Sequence, residues 1–296
     1  MLRNFKDNTV PKRNWFLSLF VCTGLLSSTP AVLSQALLPY TPQLNIEKLE
    51  QQGLELAEDA VQLVRFQQYG LALSRAKLAT QLAPNQYQPW FILGTLYVQQ
   101  QEIDKSIEAL QKALSLAPSE AGIKFTLGNA YFQQGKYQEA ATELEEGLKI
   151  KPDIPAALFD LGNSYLKLGK MSSAIAVYQK AIAKEDNFWP AINNIGLIKY
   201  EQGDIAGAIK DWQAALEIDP EQAEPKLAIA VAFYTQGKTE EGLKLGEDAL
   251  KLDSRYGEIQ FLADNLWGDK LLKDTKKFLA TPPMKAILDN LPEESS

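Results

Sequence analysis

The sequence of 296 residues contains no histidine and only one cysteine, Cys22. Without histidine the chain cannot form a Ser-His-Asp or Cys-His nucleophile. Zinc sites built from His and Cys are excluded because the ligands are missing. Paired acids such as Glu145-Glu146 are expected on solvated helix faces, and no glycine-rich phosphate loop occurs. We therefore expect a protein that is not an enzyme and that holds no cofactor or metal.

Positive charge is also in deficit, because 30 Lys and Arg residues face 37 Asp and Glu residues, giving a net charge of −7. The deficit is uneven along the chain. Residues 1–40 carry +3 and the remainder carries −10. An acidic body repels phosphate backbones, so no nucleic-acid partner is expected.

A long apolar run occurs near the N-terminus. A basic tip precedes Trp15–Leu26, and the run continues more weakly to Leu33. As a helix, residues 15–33 would reach about 28 Å, close to the hydrocarbon thickness of a bilayer. We assign residues 1–38 to a basic tip plus a membrane anchor or an export signal, and both alternatives stay open. Residues 39–52 are a proline-containing linker and helix entry.

A period of 34 residues organises the rest of the chain. Glycine, usually preceded by leucine, recurs at Gly94, Gly128, Gly162 and Gly196, and a second slot holds Gly135, Gly169, Gly203 and Gly237. Within a unit, apolar residues recur at helical spacing. The unit that carries the fullest set contains Trp90, Leu93, Gly94, Tyr97, Ala113 and Pro118. Each unit is predicted to be a helical hairpin that buries its apolar face only by stacking on its neighbours.

This pattern resembles the tetratricopeptide repeat (TPR) family. Six units tile without insertions: 53–86, 87–120, 121–154, 155–188, 189–222 and 223–256. The first and last are degenerate, since Ala60 and Ala230 replace the glycine. The resemblance implies an all-α TPR solenoid of six stacked helix-turn-helix repeats. Residues 257–270 are predicted to form a C-terminal capping helix, with a tail to residue 296.

The resemblance also implies a concave surface lined by the first helix of each unit. Carrying the family's groove positions onto this sequence predicts a protein-binding groove of Phe91, Phe125, Asn129, Phe132, Phe159, Asn163, Tyr200 and Tyr234. Aromatic rings flanked by amides suit an extended or helical apolar peptide. The alternative is that the phenylalanines pack only against neighbouring helices.

The layout of basic tip, apolar segment and repeats resembles the cyanobacterial TPR proteins that assist thylakoid biogenesis. That resemblance implies a membrane-tethered scaffold at the thylakoid membrane, acting in chlorophyll synthesis or photosystem assembly. Its implied partners are light-dependent protochlorophyllide oxidoreductase or photosystem assembly factors. The alternative is a soluble adaptor of the periplasm or lumen, released by signal cleavage. The basic tip predicts that the repeats lie across the membrane from the cytoplasm, whereas that oxidoreductase works on the cytoplasmic side.

Overall fold

The computed structural model describes residues 45–290, and its regular structure there is entirely helical. The predicted basic tip and anchor or signal segment, residues 1–38, lies outside the described residues. Within 45–290 no helix is both long and apolar enough to cross a membrane. Twelve helices form six antiparallel pairs: α1 Ile46–Arg65 and α2 Tyr69–Leu82, α3 Tyr87–Gln99 and α4 Ile103–Leu116, α5 Ala121–Gln133 and α6 Tyr137–Ile150, α7 Pro155–Lys167 and α8 Met171–Lys184, α9 Trp189–Glu201 and α10 Ile205–Ile218, α11 Ala223–Thr235 and α12 Thr239–Leu252.

The helix starts repeat with the period read from the sequence. The first helices of five pairs begin at residues 87, 121, 155, 189 and 223, and their partners begin at 103, 137, 171, 205 and 239. The first pair differs, because α1 begins at Ile46, before residue 53. Asn45 caps this helix, and its side-chain oxygen accepts a hydrogen bond of 3.0 Å from the Lys48 amide. The cap fixes where the helical array begins.

The turn inside each pair needs one residue in the left-handed backbone conformation. In the last four pairs this residue is glycine, with φ between 71° and 89°, at Gly135, Gly169, Gly203 and Gly237. Glycine adopts this conformation without a Cβ clash. In the first two pairs Gln67 and Gln101 adopt it instead, with φ of 58° and 60°. The turn is therefore kept even where its preferred residue is absent.

The glycines at the other slot make room for a large residue of the paired helix. A methyl group added at Gly128 would lie 2.7 Å from Leu144 Cγ, and one at Gly196 would lie 2.5 Å from the Trp212 indole nitrogen. Such distances are too short for carbon, so the small residue and the large one are matched in size. In the degenerate first unit, alanine faces alanine at the same two positions, Ala60 and Ala76, and both are fully buried.

The predicted helix over residues 257–270 is interrupted. A short 3-10 turn, Ser254–Gly257, leads to α13, which covers only Ile259–Asp264. The chain then turns back at Leu266, whose φ is +71°. Trp267 is driven into the core there, with 4% of its surface exposed. We call residues 253–290 the C-terminal arm.

The arm closes the end of the array in place of a seventh repeat helix. It continues with α14, Asp269–Leu279, and α15, Pro282–Leu288. Helix α14 packs on α9 and α11, and α15 packs on α12. Gly246 stands where the second helices of the second to fifth pairs carry a large residue. Phe278 and Met284 of the arm fill the vacated volume, and both are completely buried.

Candidate protein-binding groove

The first helices of the pairs form the inner face of the array. Helix α1 contacts α3, α3 contacts α5, and α5 contacts α7, in addition to the contacts between neighbours in sequence. Within residues 45–290, no two second helices make comparable contacts. Helices that approach each other across a repeat lie on the shorter side of a curved stack, so the odd-numbered helices line the concave face.

Two predicted groove residues, Phe91 and Phe125, fill the seams between helices. The Phe125 ring lies against α6, and a methyl group added at Gly147 would be 2.5 Å from its Cε1 atom. The end of the Phe91 ring reaches toward Gly122 of the next unit, 3.8 Å from the place of an added methyl group. Both rings are half-buried. Their packing is the arrangement that the alternative sequence interpretation describes, although each keeps an accessible edge.

Asn129 and Phe132 lie along the accessible part of α5. Asn129 accepts a hydrogen bond of 2.7 Å from Gln133 one turn later. The Phe132 ring contacts Tyr137 with centroids 5.2 Å apart. Both side chains are half-buried and remain accessible from the concave side.

Phe159 and Asn163 lie on α7 and belong to a fixed polar and aromatic cluster. The Phe159 ring packs against Tyr178 and Phe188, with centroids 5.7 and 5.5 Å away. The Asn163 oxygen accepts hydrogen bonds of 2.7 Å from the Tyr178 hydroxyl and 3.0 Å from the Asn194 amide. Because Tyr178 is fully buried, these bonds hold the Asn163 side chain in one orientation.

Tyr200 does not line an open groove, and that part of the prediction is wrong, whereas Tyr234 is half-buried beside the C-terminal arm. Tyr200 is fully buried, and its hydroxyl donates a 3.0 Å hydrogen bond to Asp274 of α14. The Tyr234 ring packs on Phe278 at 5.4 Å. Helix α14 occupies the concave face along α9 and α11, so both tyrosines anchor the protein's own C-terminal arm.

Further hydrogen bonds secure the arm to α9. The carboxylate of Glu201 accepts hydrogen bonds of 3.1 and 2.9 Å from the backbone amides of Lys270 and Leu271. These amides open α14, where unpaired N–H groups and the helix dipole favour a negative charge. The Lys270 ammonium lies over the Tyr200 ring, 5.0 Å from its centroid.

Between the repeats and the arm lies a cleft of about 330 Å³, which we call the inner cleft. The repeats contribute most of its polar and aromatic lining: Phe132, Phe159, Asn163, Asn193, Asn194 and Glu224. Trp189 and Pro190 complete that wall, and the arm supplies Tyr256, Asp264, Asn265 and Leu266. Three predicted groove residues therefore meet here, at the boundary between the open and the occupied parts of the concave face.

Two acids, Glu224 in the wall of the inner cleft and Asp160 one turn from the lining residue Asn163, are held in surroundings that disfavour their charge. Glu224 is 9% exposed, and its carboxylate accepts a 2.9 Å hydrogen bond from the Trp267 indole. Burial raises the pKa of Glu224 to about 7, against the smaller lowering effect of hydrogen bonds from Trp267 and Asn193. Asp160 lies one turn before Asn163 on α7, and burial raises the pKa of its carboxyl to about 6. Glu224 was missed from the sequence because it reads as an ordinary acid in the first turn of a helix.

Comparison with known proteins supports this architecture. A TPR repeat model matches residues 94–134, 128–169 and 196–237, and a tetratricopeptide repeat model matches 155–188. A model of ChAPs, the Chs5p-Arf1p-binding proteins, matches residues 43–112. No curated protein sequence gives a significant match.

Solved structures share the fold at low sequence identity. A chain of the APC/C hetero-tetramer Cut9-Hcn1 aligns with a TM-score of 0.62 and 17% identity over 78% of this chain and 44% of the matched chain. PilF of Pseudomonas aeruginosa aligns with a TM-score of 0.61 and 14% identity over 75% of this chain and 99% of the PilF chain. MamA of Desulfovibrio magneticus RS-1 aligns with a TM-score of 0.54 and 18% identity over 58% of this chain and 97% of the MamA chain. Together with the 34-residue helical period and the matched repeat models, these structures show that the described part of the chain has the tetratricopeptide repeat fold.

Proposed function

We propose that this protein is a scaffold that binds segments of partner proteins along the concave face of α3, α5 and α7, up to the start of α9 at the inner cleft. The TPR fold is of a protein-interaction type, and it is not one built around catalysis. The observation that carries the proposal is the inner cleft, where aromatic rings and hydrogen-bonding amides converge on an accessible space. Such lining binds peptides through ring area and backbone hydrogen bonds.

The proposed binding surface has a defined extent. It begins at Phe91, continues past Phe125, Asn129 and Phe132, and ends in the cleft at Phe159 and Asn163. Beyond it the concave face is covered by α14. We infer that a partner contributes a short segment across three to four units, because the protein's own helix already fills the rest of the groove.

Photo-crosslinking tests this function. With p-benzoylphenylalanine at Phe132, we expect covalent capture of partner proteins from membranes of the source cells. The matched control places the same residue at Glu139, an exposed position on α6, a second helix. Capture at Phe132 alone supports the proposal. Equal capture at both positions, or none at Phe132 from a correctly folded protein, contradicts it.

We also propose that residues 1–38 tether the protein to a membrane, as the basic tip and apolar run indicate. From its layout we propose the thylakoid membrane, with protochlorophyllide oxidoreductase or photosystem assembly factors as partners. A cleaved export signal, leaving a soluble protein of the periplasm or lumen, is the alternative. Alkaline carbonate washing separates them, since an anchored protein stays in the pellet and release into the supernatant contradicts tethering.

A further inference from the structure

The inner cleft has acidic groups and no basic counterpart. Glu224 and Asp264 line it, and none of the described residues that line it is Lys or Arg. Asp160, one turn from the lining residue Asn163, makes no side-chain hydrogen bond or ion pair within residues 45–290. The raised pKa of Glu224 reflects a buried carboxyl that lacks a positive partner. The neighbouring Lys167 instead donates to the Ala263 carbonyl at 3.4 Å.

An unused hydrogen-bond acceptor lies in the same wall. Asn193 is 1% exposed, and its side-chain oxygen has no partner among the described residues. Its amide nitrogen donates to Asn194 at 3.2 Å, and its backbone carbonyl accepts from the Trp212 indole at 3.2 Å. Buried polar atoms are almost always paired in folded proteins. An orphaned oxygen beside a carboxyl that has no positive partner therefore points to a ligand that donates hydrogen bonds.

The apolar walls of the cleft are rings held in place by neighbours. Phe159 is fixed by Tyr178 and Phe188, as described above. The Tyr256 ring stands edge-on to Phe261, with centroids 5.0 Å apart. Aromatic faces attract cations, and the flat guanidinium group stacks on them especially well.

We propose that the inner cleft is a receptor for an arginine side chain of the partner protein. Guanidinium offers five N–H donors in one plane, which suits acceptors spread over Glu224, Asn193 and Asp264 better than the point charge of lysine. The protein's own Arg255 does not serve, because it pairs with Asp253 at 2.7 Å and covers the Phe261 ring at 4.9 Å. This inference rests on the proposed function and names the chemistry of the segment that is bound.

The test uses the full-length chain and small blocked amino acids. Binding of N-acetyl-arginine methylamide is measured by saturation-transfer NMR beside the lysine and citrulline analogues, citrulline being a neutral isostere of arginine. We expect the arginine compound to bind at least tenfold more tightly than the citrulline compound, and more tightly than the lysine compound. Equal binding of all three, or a preference for lysine, overturns the proposal.

Variants locate the site. Glu224→Gln keeps an acceptor for the Trp267 indole while removing the charge, and we expect about a tenfold loss of affinity. Asp248→Asn, at an exposed site on α12, removes the same charge and is expected to change nothing. If Glu224→Gln lowers the helical circular dichroism and so disturbs the fold, the affinity is measured instead on Asp264→Asn, which removes a charge at the rim of the cleft. Unchanged affinity in the folded Glu224→Gln or Asp264→Asn variant overturns the assignment.

Two results separate this inference from the function on which it rests. Capture at Phe132 without selective arginine binding rejects the arginine receptor and leaves the scaffold function standing. Free L-arginine with ionised ends, if it binds more tightly than the blocked compound, identifies a metabolite site and overturns assignment to a protein partner. Tighter binding of the blocked compound supports it.

Discussion

The stability of this protein is expected to fall as the pH rises from 6 to 8, and Glu224→Gln is expected to remove that fall. Burial raises the pKa of Glu224 from its ordinary 4.5 to about 7. Between these two values the folded state binds more protons than the unfolded state. Stability therefore decreases with increasing pH and is lowest once the carboxylate is fully charged above pH 7.

The magnitude follows from the pKa difference. One pKa unit corresponds to about 1.4 kcal/mol, so full ionisation of Glu224 is expected to cost the folded state about 3 kcal/mol between pH 4.5 and 8. About 1 kcal/mol of this loss falls between pH 6 and 8. Asp160, with its pKa raised from 3.8 to about 6, acts in the same direction at lower pH. Few other groups of this sequence titrate between pH 6 and 8. Since there is no histidine, the α-amino group is the main other group whose ordinary pKa lies in that window.

The assay is urea unfolding followed by helical circular dichroism at pH 5, 6, 7 and 8. Because repeat arrays can unfold in several steps, hydrogen exchange of the α11 amides supplies a local measurement. The Glu224→Gln variant is expected to have nearly constant stability from pH 6 to 8. Asp248→Asn is expected to keep the wild-type slope. A wild-type stability that rises with pH, or an unchanged slope in Glu224→Gln, refutes the assignment of a buried carboxyl without a positive partner.

Three further predictions concern packing, turns and the arm. Gly128→Leu is expected to lower the free energy of unfolding by about 1–3 kcal/mol through overpacking. Gly128→Ala is expected to be less harmful in a Leu144→Ala background than in the wild type. Strictly additive changes in the free energy of urea unfolding would contradict this size matching. Gly135→Ala is expected to lower the free energy of unfolding by about 1 kcal/mol, and Gln101→Gly is expected to raise it by a few tenths of a kcal/mol. Equal effects of the two substitutions on the melting temperature would exclude backbone strain as the cause. Trp267→Phe keeps an aromatic ring, although a smaller one, but loses the hydrogen bond to Glu224. Hydrogen-exchange protection of α14 is therefore expected to drop about tenfold, corresponding to about 1.4 kcal/mol; unchanged protection would show that the bond does not hold the arm.

The repeats could be predicted from the sequence because each local signal agrees with the next. Gly128 permits close approach, Gly135 permits the turn, and each recurs in four units at one spacing, so repeated copies of a weak pattern make a strong one. The first unit departs from the pattern at Ala60, and the structure shows that the residue facing it, Ala76, is small as well. The compensating residues lie only sixteen positions apart in the same hairpin.

The groove could be predicted only in part, because its limits depend on contacts that the repeat pattern does not contain. Tyr200 occupies a groove position in its own unit, but Asp274 reaches it from seventy-four residues later. The glycine at 246 was a usable signal. It leaves a vacancy at the last unit that some apolar side chain beyond residue 256 has to fill, and Phe278 does so.

The position of the arm has a consequence for binding. Asn193 and Glu224 come from the repeats, whereas Tyr256 and Asp264 come from the arm, so a ligand in the inner cleft contacts both. Any ligand that binds the docked arrangement better than the undocked one stabilises docking, and docking strengthens binding by the same factor. The bond between Trp267 and Glu224 links the two parts directly, because the carboxylate that we propose to receive the arginine also accepts the indole of the arm. Occupying the cleft is therefore expected to increase hydrogen-exchange protection in α14, although the ligand itself touches only the start of the arm.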